Sequence, residues 1–152
     1  MVEHVCLLSR MEDGPVRIAV GVSVPELAGL QALLTQEIAA TPGWSGIVDL
    51  WCVGSSIRLA AVNGDDIIGA ASICFSGDGF CELHKLYVAP DWRNRGVARR
   101  LVNEVERVSR EHEWWEIGVQ ISGDSEPFWA CYLDGREIDF LPERKMIFRV
   151  NP

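Results

Sequence analysis

Residues Leu86–Val108 read LYVAPDWRNRGVARRLVNEVERV. A run of strand-forming residues stops at Ala89-Pro90, an arginine-rich segment follows around Gly96, and an amphipathic pattern begins at once. Val97, Leu101, Val105 and Val108 recur at helical spacing, with Arg99, Arg100, Glu104, Glu106 and Arg107 on the other side. The stretch therefore predicts a strand handing over to a helix that runs from Gly96 to about His112. Such a turn presents unpaired N–H groups and the positive end of the helix dipole, a setting that favours a phosphate. Gly96 allows close backbone approach, Ala98 keeps the next turn small, and Arg93, Arg95, Arg99 and Arg100 can add charge-assisted hydrogen bonds. Cations at a helix N-terminus oppose the dipole by about 0.3–1 kcal/mol each, so grouping them there makes sense with an anion among them. The competing reading is a solvated basic patch paired with Asp91, Glu104 or Glu106. A Walker A loop would need Gly-Lys-Ser/Thr and a dinucleotide fingerprint three spaced glycines, and neither is present.

Working outward, VRIAVGV (Val16–Val22) reads as a strand, and the segment after it as a helix with Pro25 and Glu26 near its start. Leu27, Leu30, Leu34 and Ile38 form its apolar stripe, and it should end before TPGWSG. Ile47–Ser56 has no clear period and carries Trp51, just after Trp44. IRLAAVNGDDIIGAASICF holds two strands joined through Asn63-Gly64, and CELHKLYVA adds a third antiparallel strand to make a meander. WWEIGVQIS gives a later strand, a short helix should follow it, and MIFRV gives a final strand. The fold class expected is α/β (α+β): one domain over residues 1–152, with a mixed, largely antiparallel sheet flanked by helices.

A chain of 152 residues that is 48% hydrophobic can bury one good core. No apolar stretch is long enough to span a bilayer and the start lacks a basic leader, so a cytoplasmic protein without a membrane partner is expected. Cys6, Cys52, Cys74, Cys81 and Cys131 show no CxxC or Cys/His spacing, so they are read as reduced, with neither a disulfide framework nor a metal site. A net charge of −8 argues against a general nucleic-acid binder.

Arg93-Asn94-Arg95-Gly96-Val97-Ala98, between LYVAPDW and RRLVNEVERV, resembles the (Gln/Arg)-x-x-Gly-x-(Gly/Ala) signature of the GNAT superfamily of acyl-CoA-dependent N-acetyltransferases. The likeness is good over roughly Ile57 to Val119 and looser at the ends. It implies acetyl-CoA as co-substrate, its pyrophosphate on the backbone amides of Arg95 to Arg99 with help from Arg93 and Asn94. The pantetheine arm would then lie along Leu86, Tyr87 and Val88.

Transfer to an amine needs a base for the amine proton and an acid for the departing thiolate. Glu82, His84, Leu86 and Val88 share one strand face if no bulge intervenes. The resemblance to histone-acetyltransferase-like members makes Glu82, six residues before Val88, the first candidate base, with His84 second. Tyr132, the only tyrosine in the short helix after the next strand, would be the general acid by the resemblance to the superfamily as a whole. The pattern around it is poorly kept, however: SGDSEPFWACYLDGREIDF lacks the usual asparagine, and Gly135 follows Tyr132 one residue early. Should Phe128-Trp129 hold the Phe-Tyr place, Ser125 and Cys131 are the remaining donors. The expected activity is acetyl transfer to a primary amine of a small molecule or protein, and the resemblance leaves a homodimer open. An acyl-CoA-binding module with weak or no catalysis is the alternative. Acceptor contacts are expected around Trp44, Asp49, Trp51 and Trp129, where aromatics beside a carboxylate suit a cation.

Overall fold

The computed structural model describes residues 15–75 and 78–152. Cys6 lies outside them. A seven-stranded sheet runs in the order β1-β2-β3-β4-β5-β7-β6, and β4 with β5 is its parallel pair. The strands are β1 (Arg17–Val20), β2 (Ser56–Asn63), β3 (Asp66–Phe75), β4 (Phe80–Val88), β5 (Glu116–Gln120), β6 (Ile138–Leu141) and β7 (Lys145–Arg149). A 3-10 turn at Pro25–Leu27 leads into α1 (Ala28–Ala40), α2 spans Val97–Glu111 and α3 spans Glu126–Tyr132.

Each helix buries the stripe its sequence carries. Leu27, Leu30 and Leu34 of the first helical segment pack with Leu50, Ala60, Val62, Ala70 and Tyr87 on one side of the sheet. Val97, Leu101, Val105 and Val108 of α2 pack with Leu59, Ala71, Ile73, Leu83 and Ile117 on the other. Ser23 and Glu26 bond each other's backbone N–H reciprocally, closing the start of the first helical segment. The β2–β3 hairpin closes at Gly64, whose φ of +62° the tight turn requires.

Two sequence expectations, on Glu106 and on the C-terminal strands, are corrected here. Glu106, placed on the solvent side of α2, is buried, because Arg136 and Tyr132 arrive from α3 and its following turn to bond its carboxylate. Cys52 and Cys74 bring their side chains together, which sets the loop after α1 against the end of β3. The segment before MIFRV forms a further strand, β6, through a turn in which Glu143 and Arg144 both take positive φ.

Candidate active site

Strands β4 and β5 pair only from Phe80↔Glu116 to Leu83↔Val119. Beyond that point β4 runs on to Val88 while β5 stops at Gln120, so the β5-facing edge of Leu86–Val88 has no strand beside it. A cleft of about 980 Å³ opens along this stretch. Its floor is Leu86, Tyr87 and Val88, one end is the turn into α2, and its walls come from Thr41–Ile47 and from the Ser122–Cys131 region. The two walls approach glycine to glycine: a Cβ on Gly123 would lie 3.4 Å from the Gly46 Cα.

At the turn, Gly96 caps α2 with φ +78° and supplies no capping side chain. Val97 and Ala98, the first residues of the helix, whose N–H groups have no partner within it, line this end of the cleft. Asn94 beside it also has positive φ, 62°. Of the residues expected to hold the cofactor, Leu86, Tyr87, Val88, Arg93, Asn94, Gly96, Val97, Ala98 and Arg99 all line the cleft. Arg95 does not; its guanidinium lies over the Trp92 ring, 5.0 Å from the centroid.

Arg93 is engaged in a way the sequence does not announce. Two of its nitrogens donate to the Glu37 carboxylate at 2.7 and 2.8 Å, and Nε donates to the Val88 carbonyl at 3.0 Å. The Tyr87 hydroxyl donates to the same carboxylate at 2.7 Å. The Arg93 guanidinium, with the Tyr87 hydrogen bond helping, holds Glu37 below its ordinary 4.5, while burial and then Glu37 raise the Tyr87 phenol. A lowered carboxyl stabilises the fold above its unfolded pKa, and that contribution is lost as pH falls through the lower folded value. Melting temperature should therefore drop more steeply below about pH 4.5 in the wild type than in Glu37→Gln; parallel curves would show that the pair adds nothing.

Glu82 and His84 sit just before the cleft, and their hydrogen bond, Nε2 to Oε2, is 2.8 Å. The strand does not keep one alternation to Val88, because Ser72 pairs with Lys85 while Ile73 pairs with Leu83, leaving His84 as an extra residue. The bulge parts the expected row. Leu83 packs in the α2-side core and Tyr87 in the α1-side core, so Glu82 shares the α1 side with Lys85 and Tyr87, and Leu86 and Val88 face the other way. Lys85 Nζ in turn pairs with Asp49 at 2.7 Å. Neither Glu82 nor His84 lines the cleft wall itself.

Tyr132 is turned away from the cleft. Its hydroxyl donates to Glu106 and lies 3.0 Å from Asn103 Oδ1, because the short α3 aims this side chain at α2. Burial first, then the Glu106 carboxylate, raises its phenol well above the ordinary 10.0. Phe128 and Ser125 of this region do line the cleft, and the Ser125 hydroxyl donates to the Ser122 carbonyl at 2.8 Å. Trp129 is buried in the core and Trp44 lines the cleft, its indole N–H fixed on the Ile47 carbonyl at 2.9 Å. No helix among the described residues is long and apolar enough to cross a membrane.

Comparison with known proteins bears on the same turn and cleft. The sequence model of the Acetyltransferase (GNAT) family matches residues 34–135, more than half of the chain. A Staphylococcus aureus Mu50 acetyltransferase of the GNAT family superposes with a TM-score of 0.66 at 13% identity, covering 90% of this chain and 99% of that one. The Thermoplasma acidophilum PaiA N-acetyltransferase, solved with coenzyme A, gives a TM-score of 0.65 at 13% identity over 90% and 99% of the two chains. An aminoglycoside acetyltransferase from an uncultured soil metagenomic sample, solved with sisomicin, gives 0.63 at 15% identity over 85% and 94%. With strand, glycine-capped turn and helix inside the matched region, the chain belongs to the GNAT family of acyl-CoA-dependent acyltransferases, whose co-substrate is acetyl-CoA.

Proposed function

We propose that this protein is an N-acetyltransferase that moves the acetyl group of acetyl-CoA directly to a primary amine of a small molecule or protein. The observation that carries the reading is the continuity of the cleft, from the glycine-capped helix end to the unpaired edge of Leu86–Val88. A diphosphate suits the N–H groups at Val97 and Ala98, and an extended amide-bearing arm suits a free strand edge. The amine nitrogen attacks the thioester carbon, the C–N bond forms, the C–S bond breaks, and the amine proton must leave. The hydrogen-bonded Glu82–His84 pair, two residues short of Leu86, takes that proton through water.

In this reading Tyr132, whose hydroxyl bonds Glu106, is not the acid for the leaving thiolate. Ser125 and water in the cleft are its proton sources. That same geometry favours one second reading, an acyl-CoA-binding module with little or no turnover. Thiol release from acetyl-CoA over a panel of primary amines separates the two. An active enzyme should lose roughly 10²–10⁴-fold in kcat in Glu82→Gln. CoA binding without turnover of any amine would leave the binding module standing.

A further inference from the structure

We infer that Arg93 serves the acyl-CoA site as a brace held by Glu37, and that Glu37 is a positioning residue for acyl-CoA binding. The inference rests on the cleft being the acyl-CoA site. A single guanidinium here joins three parts of the cleft. Through Nε it holds the last carbonyl of β4, at Val88; through its other two nitrogens it holds α1, at Glu37; and its own backbone begins the anion turn. The Tyr87 hydroxyl completes the carboxylate, and the Tyr87 ring lies under the guanidinium at 5.4 Å.

Two consequences follow from this geometry. The positive charge of Arg93 is matched within the protein by a carboxylate whose side chain is 18% exposed, so little of it is left to attract a phosphate. The fork also fixes where the turn sits relative to α1, whose end carries the opposite wall: the Thr41 hydroxyl donates to the Glu37 carbonyl at 2.7 Å, and Thr41 to Ile47 line the cleft. The backbone N–H groups at the N-terminus of α2 are thereby set in place before a ligand arrives, and binding loses less to ordering.

The test is calorimetric titration of CoA into the wild type, Glu37→Gln, Arg93→Gln, Arg93→Lys and the Glu37→Gln/Arg93→Gln double variant, with unliganded melting temperatures measured alongside. A brace predicts that Glu37→Gln weakens CoA by roughly fivefold or more. It predicts that Arg93→Lys is as weak as Arg93→Gln, because an ammonium cannot form the fork, and that the double variant is no worse than the weaker single. If Arg93 is instead a direct phosphate ligand, the sign reverses: Glu37→Gln frees it from a competing carboxylate and tightens CoA, and Arg93→Lys stays near wild type. That result overturns the inference while wild-type binding upholds the cleft. Failure of the wild type to bind CoA would overturn the cleft reading itself. Should Glu37→Gln not fold, Arg93→Lys decides the matter, since it keeps the charge and removes only the fork.

Discussion

Gly96→Glu is expected to remove CoA binding, weakening it by about a hundredfold or more, while the protein still folds. Gly96 holds φ +78° at the N-cap of α2. A residue with a side chain costs about 1–2 kcal/mol in that left-handed conformation. A carboxylate at a helix N-terminus recovers about 0.3–1 kcal/mol from the dipole, so stability should change little. Ligand affinity changes for a different reason. The new carboxylate occupies the position where the ligand's diphosphate would accept hydrogen bonds, and it repels that charge. A factor of ten in affinity is about 1.4 kcal/mol, and displacement from the amides plus like-charge repulsion exceeds twice that. Gly96→Asn is the control, because asparagine tolerates positive φ without adding charge, and it should bind more tightly than Gly96→Glu. Calorimetric titration beside a thermal melt reads both effects. If folded Gly96→Glu binds CoA within a few fold of wild type, the diphosphate is not at this turn.

The turn was legible because everything that makes it is local: Ala-Pro ends the strand, Gly96 supplies the positive φ, and the four-residue recurrence from Val97 gives the helix. The Asn63-Gly64 hairpin and the Leu27, Leu30, Leu34 stripe were legible for the same reason. What escaped depends on residues far apart in the chain. Nothing in CELHKLYVA marks His84 as a bulge, since the register is set by which side chains of β3 and β4 find cores on each side. Sequence spacing gives Glu106 to the polar side of α2, and it is Tyr132 and Arg136, 26 and 30 residues later, that make its burial tolerable. Arg93 and Glu37 are 56 residues apart, so a motif that reads as four cations around a glycine hides that one of them is already matched. β6 was missed because Glu143 and Arg144 take positive φ without glycine or asparagine, so the usual hairpin signal is absent.

The Glu106–Arg136 pair is where the largest loss of stability is expected. Their side chains are 7% and 16% exposed, and the Arg136 fork meets the carboxylate at 2.6 and 3.1 Å. Arg136 also donates to the Arg149 carbonyl at 2.6 Å and lies over the Phe148 and Tyr132 rings. It thus ties α2, α3 and β7 together from a single turn. Arg136→Met leaves a carboxylate buried with only Tyr132 and water to answer it, a situation that costs about 3–5 kcal/mol. For a chain of this size each kcal/mol lowers the melting temperature by about 2–4 °C, so a fall of roughly 6–20 °C is expected. Adding Glu106→Met to the same protein should recover most of that fall, because the pair's own attraction is largely offset by the desolvation of both charges. Tyr132→Phe removes one donor to the carboxylate and should cost about 1.5–3 kcal/mol, well short of the broken ion pair. Calorimetric melts of the three variants would show this order. If Arg136→Met melts within a degree or two of wild type, Glu106 is not held by this arginine, and the phenol of Tyr132 is released from the role that turns it away from the cleft.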